Sequence, residues 1–140
     1  HVLDYSKNNW RQALKKILAG TPLNLVYDPV GGDFADPALR SLGAGGRYLV
    51  VGFAAGEIPR FPVNLMLLKQ CSVVGVNWGG HIAANPLSSR EVLTTLLEWV
   101  TENRINPAPA DAYGLSDAGK AMMKMLNREA IGKIVIRPSE

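Results

Sequence analysis

Residues 26–56 read VYDPVGGDFADPALRSLGAGGRYLVVGFAAG. An apolar run ends at Asp28-Pro29 and the pair Gly31-Gly32, a stretch with helical spacing follows, and a second apolar run ends at Gly52. Pro29 has no N–H to give to a sheet ladder, so it stops the first strand. YLVV at 48–51 is apolar at every position, the pattern of a strand buried on both faces. Between the two, Asp33 or Asp36 can cap a short helix, the second choice placing Pro37 at the first helical position, with Leu39 and Leu42 facing inward. Strand, helix and strand at this spacing imply parallel pairing. A parallel sheet of this kind takes ligands beyond the carboxyl ends of its strands. The loops after Tyr27 and Val51 lie at that end, where glycine lets a flat ligand approach the backbone. LGAGG at 42–46 instead leads from a helix into a strand, and its glycines read as helix-ending residues rather than a phosphate cradle. A phosphate loop follows a strand and opens a helix; Gly31-Gly32-Asp33 has that placement but only two adjacent glycines.

The pattern extends in both directions from this stretch. Toward the N-terminus, LNLVY at 23–27 reads as a strand. Before it, Trp10, Ala13, Leu14, Ile17 and Leu18 recur on one helical face that ends at Gly20. Val2-Leu3 reads as a further short strand, and the opening HVLDY, with no Met, reads as cut from something longer. Toward the C-terminus, Pro59 and Pro62 interrupt regular structure, Asn64 can cap LMLLK, and CSVVGVNW at 71–78 reads as a strand. Asn85-Pro86 opens a helix in which Leu93, Leu96, Leu97 and Val100 have core spacing, widened by Val92 and Trp99. PAPA at 107–110 is a loop, Ser116 can cap a helix bearing Ala121, Met122, Met125 and Leu126, and Gly132 precedes a closing strand, KIVI. About five strands alternating with four longer helices predict an α/β protein with a doubly wound, mostly parallel sheet.

With 140 residues, 47% of them hydrophobic, the chain can bury one packed core and is too short for two ordinary domains, so a single globular unit is expected. Fifteen Lys and Arg against twelve Asp and Glu leave a net charge of +3 with no block of like charge, which argues against nucleic-acid or membrane-surface partners. No apolar run approaches the roughly 18 residues of a membrane span, and the N-terminus lacks a signal-peptide pattern. Cys71 is the only cysteine, so no intrachain disulfide or cysteine zinc cluster can form. It reads as a buried free thiol in a cytoplasmic or other reducing compartment.

The segments VYDPVGG, GGRYLVVGFAAGEIP, VNLMLLK, SVVGVNWG and LNREAIGKIVI, in this order and spacing, resemble the cofactor domain of medium-chain dehydrogenases/reductases, in particular the NADPH:quinone oxidoreductase (zeta-crystallin-like) branch. The resemblance covers nearly the whole chain. It implies an incomplete Rossmann-like domain over residues 1–140, without the family's GroES-like substrate domain, first strand or glycine-rich pyrophosphate loop. It also implies hydride transfer from NADPH to a small molecule, a quinone or an α,β-unsaturated carbonyl, with the protein positioning the ring and the cofactor supplying the chemistry.

By the same resemblance Tyr5 matches a tyrosine near the adenosine phosphate, the alternative being packing on the first helix. Val30 and Gly31 match the loop beside the ribose and nicotinamide, against a plain turn. Gly52, Phe53 and Ala54 match the next strand end, again on the nicotinamide side, against a core role for Phe53. Asn77 and Trp78 match the place of the nicotinamide carboxamide, against sheet-edge packing. Arg128 matches an arginine reaching the cofactor phosphates, against a helix-end arginine answering the dipole.

No catalytic side chain and no metal ligand is assigned, and His81, in a glycine-rich stretch, has no matching role. The resemblance further implies a homodimer through strand 72–77, which carries no Lys or Pro to blunt an edge. Two other readings stay open: a non-catalytic, self-associating module, and part of an enoyl or crotonyl reductase. Lacking the pyrophosphate loop, the isolated chain is expected to hold NADPH weakly and to be inactive.

Overall fold

The computed structural model describes residues 1–138. They form two compact units, one spanning His1–Ala84 and the other beginning at Asn85.

The first unit runs α1 (Trp10–Leu18), β1 (Leu23–Asp28), a 3-10 turn (Gly32–Phe34), α2 (Ala35–Ser41), β2 (Leu42–Val50), α3 (Asn64–Lys69), β3 (Ser72–Gly75) and α4 (Trp78–Ala84). Its sheet has the order β1-β2-β3 and is parallel throughout, as the alternation of elements requires. Val26, Tyr48 and Val73 stand in register across the three strands, as do Tyr27, Leu49 and Val74 in the next row. Because side chains alternate faces along a strand, these rows point to opposite sides. The Val26–Tyr48–Val73 face holds the core: Ala35 and Leu39 of α2 and Tyr48 are fully buried with Leu42, and Phe61, Leu65, Met66 and Cys71 pack around them. The other face is open, with Leu25, Tyr27 and Val74 exposed. The thiol of Cys71 is free and half-buried beside this core.

The second unit comprises α5 (Pro86–Thr101), β4 (Asp111–Gly114), a 3-10 turn (Leu115–Asp117), α6 (Ala118–Leu126) and β5 (Ile134–Arg137). Strands β4 and β5 pair in parallel, from Asp111 with Ile134 to Gly114 with Arg137. Lys124 donates to the Asp111 carboxylate at 2.6 Å, tying α6 to β4. That hydrogen bond keeps its ammonium protonated above the ordinary lysine range. Ala121 is buried, whereas the apolar stripe of α5, Leu93, Leu96 and Leu97, is exposed. No described helix is long and apolar enough to cross a membrane.

Four local expectations change. Val2-Leu3 forms no strand. LGAGG belongs to β2 rather than to a helix end. The pairing jumps from Leu23 opposite Leu42 to Leu25 opposite Arg47, so the glycines form a bulge. Pro22 crosses this bulge so closely that a Cβ on Gly43 would lie 2.5 Å from the proline Cβ. Third, the strand expected over 71–78 is only Ser72–Gly75, because Asn77 turns the chain into α4: its Oδ1 accepts the Gly80 N–H (2.9 Å) and its carbonyl the His81 N–H (2.9 Å). His81 therefore lies in a helix. Finally, Asp33, Asp36, Asn64 and Ser116 make no side-chain cap. Asp36 instead pairs with Arg40, at 2.7 Å.

Candidate functional site

The loops after β1 and β2 interlock. The Ala54 N–H donates to the Pro29 carbonyl (3.0 Å), the Ala55 N–H to the Val30 carbonyl (2.9 Å) and the Gly32 N–H to the Glu57 carbonyl (3.1 Å). The second loop turns sharply through Gly56, whose N–H reaches the Phe53 carbonyl at 2.8 Å. This interlocking needs glycine. Gly31 has φ +69°, and a Cβ there would press on the Phe53 ring (3.1 Å) and the Glu57 carbonyl (3.3 Å). Gly52 passes close enough to Pro29 that a Cβ would lie 3.2 Å from its carbonyl oxygen. Val30, Gly31, Gly52, Phe53 and Ala54 are thereby brought together at the carboxyl ends of β1 and β2, with Phe53 partly exposed.

Beneath this loop pair lies Asp28, which the sequence reading used only to end a strand. Its Oδ1 accepts the N–H groups of Val30 (2.8 Å) and Gly31 (2.9 Å), and its Oδ2 accepts Gly31 (3.1 Å) together with the Tyr48 hydroxyl. Tyr48 is fully buried and packs edge-on against Phe61, ring centroids 5.0 Å apart. Burial first, then the hydrogen bond and charge of Asp28, push its hydroxyl well above the ordinary tyrosine range. Two signals could have exposed this pair. Aspartate accepts from backbone two or three residues on in Asx turns, and a buried tyrosine hydroxyl needs a partner.

This hydrogen bonding answers what the glycine-rich loops can do. A phosphate cradle needs unoccupied backbone N–H groups. Here those of Val30, Gly31 and Gly32 are all taken, two by an internal carboxylate, so an anion would find occupied donors and a negative charge. At the loop tips Phe53 and Ala54 are exposed and Val30 half-buried, an apolar patch that suits the face of a ring and not a pyrophosphate.

The other expected residues stand around these loops or apart from them. Tyr5 meets Phe34 edge-on (4.8 Å) and lines, with Trp10, Val26, Pro29 and Val30, a recess of about 340 Å³ along β1. Asn77 and Trp78 line a different recess, with Val51, Gly75 and Val76, at the ends of β2 and β3, where Trp78 stacks on His81 (5.4 Å). Arg128 belongs to the second unit, at φ +59° just beyond α6. Among the described residues no three His, Cys, Asp or Glu side chains could together hold a metal ion.

Residues 1–136 match the family model described as zinc-binding dehydrogenase. The chain is 37% identical over 135 residues to quinone oxidoreductase-like protein 2 of Bos taurus, and 33% identical over 140 residues to the quinone oxidoreductase-like protein 2 homolog of Nematostella vectensis. These matches cover 96% and 99% of this chain and 38% of each relative, so the chain spans well under half the length of either. A mycobacterial structure complexed with NADPH superposes with a TM-score of 0.82 at 25% identity, over 98% of this chain and 42% of that one. The fold is the Rossmann-like α/β arrangement of parallel strands and flanking helices, and the chain belongs to the zinc-binding dehydrogenase family.

Proposed function

We propose that this chain is the nicotinamide-holding part of an NADPH-dependent oxidoreductase that delivers hydride to a quinone. One observation carries the reading: the interlocked loops after β1 and β2, with the N–H groups of Val30, Gly31 and Gly32 occupied, present the exposed Phe53 and Ala54 and the half-buried Val30 at the carboxyl edge of a parallel sheet. The names of the two relatives and the NADPH complex of the mycobacterial neighbour support it. NADPH, when bound, supplies the hydride. Val30, Gly31, Gly52, Phe53 and Ala54 pack along its nicotinamide half and keep water off that face, with Asn77 and Trp78 toward the carboxamide. Tyr5 serves the adenosine phosphate and Arg128 the phosphates, the latter through a guanidinium able to make charge-assisted hydrogen bonds.

The same reading gives the whole protein a small-molecule acceptor and a two-fold partner. Strand β3 lies at an edge of the three-stranded sheet and Val74 is exposed, which supports self-pairing through residues 72–77. The isolated 140 residues hold NADPH weakly and do not turn over.

The test is a fluorescence titration of the full-length protein with NADPH. Phe53→Asp should weaken binding by placing a carboxylate beside the nicotinamide; unchanged affinity would reject the loop assignment. Steady-state rates with a benzoquinone and with an enone then decide the acceptor, and a higher kcat/KM for the enone would overturn the quinone.

A further inference from the structure

We infer that Asp28 is a positioning residue for hydride transfer, locked in place by Tyr48, an inference that rests on the nicotinamide reading above. The carboxylate reaches back under its own loop and holds the N–H groups of both Val30 and Gly31, at 2.8 and 2.9 Å, while Tyr48 donates to its other oxygen from β2. Asp28 and Tyr48 stand on the same face of the sheet on adjacent strands, two residues apart in register, since Asp28 pairs with Val50 and Val26 with Tyr48. The hydroxyl therefore comes from the buried core and the carboxylate from the loop hinge. Through the Pro29 and Val30 carbonyls, which accept from Ala54 and Ala55, the second loop is fixed to the first. One side chain thus sets the height of the surface on which the ring lies, without touching the ring. Reaction geometry is sensitive to displacements of an ångström or less, whereas overall affinity is shared over the whole dinucleotide.

Three variants of the full-length protein test this: Asp28→Ala, Asp28→Asn and Tyr48→Phe. Each is measured for kcat with a quinone acceptor, NADPH Kd, the isotope effect with deuterated NADPH, and amide exchange at Val30 and Gly31 without cofactor. Asp28→Ala should lose amide protection at both positions, lower kcat about tenfold and leave Kd within about threefold, with a larger isotope effect, from the loss of hydrogen bonds to a charged acceptor. Asp28→Asn keeps an oxygen for the two N–H groups and should recover most of kcat; Tyr48→Phe should fall between. Unchanged kcat in Asp28→Ala despite lost protection, or unchanged protection in both Asp28→Ala and Tyr48→Phe, would overturn the inference. A wild-type protein that neither binds nor oxidises NADPH would remove the functional reading itself. The exchange data would then still decide whether Asp28 holds the loop. If Asp28→Ala does not fold, the Tyr48→Phe and Asp28→Asn pair decides by the same readouts.

Discussion

Arg128 occupies a position that glycine ordinarily takes. Beyond α6 the Arg128 N–H donates to the Met125 carbonyl and the Glu129 N–H to the Lys124 carbonyl, both at 3.0 Å, and Arg128 itself has φ +59°. This is the Schellman arrangement, in which the left-handed residue is usually Gly because a Cβ crowds the following carbonyl. A left-handed L-residue costs about 1–2 kcal/mol, and glycine returns about 0.5–1 kcal/mol of that through its more flexible unfolded chain. Arg128→Gly and Arg128→Ala both remove the guanidinium and its interaction with the helix dipole, so their difference isolates the backbone. Arg128→Gly is expected to be more stable than Arg128→Ala by about 0.5–1 kcal/mol, a gap of roughly 2–4 °C in Tm for a chain of this size. Urea unfolding with an unchanged m-value gives the same comparison at constant temperature. An Arg128→Ala protein as stable as Arg128→Gly would refute the left-handed geometry.

The two substitutions should behave alike toward the cofactor. If the guanidinium meets a phosphate, each weakens NADPH binding by roughly 1.5–3 kcal/mol. A loss below about 0.3 kcal/mol in both would leave Arg128 as a helix-end cation only. Retention of a strained arginine where glycine folds better is expected where strain is kept for function.

The Tyr48 hydroxyl, raised in pKa by burial and Asp28, stabilises the fold fully below the ordinary tyrosine value of about 10. That contribution is lost as pH rises through the higher folded value. Alkaline melting curves should therefore fall more steeply above pH about 10 in the wild type than in Tyr48→Phe, and parallel curves would show that the hydroxyl does not titrate with unfolding. Gly43→Ala places a Cβ 2.5 Å from the Pro22 Cβ, so the bulge in β2 must shift, at a cost of about 1–3 kcal/mol in urea unfolding; unchanged stability would contradict that close approach. Val74→Lys sets a lysine opposite its own copy if β3 pairs across a two-fold axis, and should turn a dimer into a monomer by sedimentation. A monomeric wild type at tens of micromolar, on the order of a weak interface affinity, would remove the dimer.

The elements with long apolar runs were legible because burial itself writes the pattern. Leu23 to Tyr27, Tyr48 to Val50 and Val73 to Val74 lie in strands, and Leu39 and Leu42 face the core as their spacing requires. The elements that escaped are those whose cause is tertiary. Strand β4 has only four residues and follows PAPA, leaving too short a pattern to separate from a loop. Helix α4, WGGHIAA, carries two adjacent glycines near its start, which lower helix propensity. One asparagine side chain and the backbone carbonyl behind it start the helix nonetheless. LGAGG looked like a helix end because glycine favours such positions, whereas its placement in β2 depends on Pro22 lying across it, a contact no local pattern encodes. That the loops after Tyr27 and Val51 share one end of the sheet followed from the sheet rule, and the family resemblance named Val30, Gly31, Gly52, Phe53 and Ala54 within them. The role of Asp28 followed from neither, because it depends on Tyr48 arriving from another strand.

That difference divides the work of binding from the work of reaction. On the proposed reading the loop tips meet the ring through the apolar Phe53, Ala54 and Val30, with the Val30, Gly31 and Gly32 N–H groups already taken, so they contribute little to overall affinity. What they would fix is distance and tilt, on which the proposed hydride transfer depends. A phosphate contact of the kind proposed for Arg128 would act the other way, on affinity that is the same in the ground and transition states. The division is testable with a substitution that moves the loops by a few tenths of an ångström without adding charge. Gly52→Ala puts its Cβ 3.2 Å from the Pro29 carbonyl oxygen, tighter than ordinary contact, and so must displace one loop from the other. It should lower kcat several-fold with NADPH KM nearly unchanged, while Arg128→Ala raises KM and spares kcat. The reverse assignment, Gly52→Ala acting on KM alone and Arg128→Ala on kcat alone, would mean that the loops hold the cofactor and do not aim it.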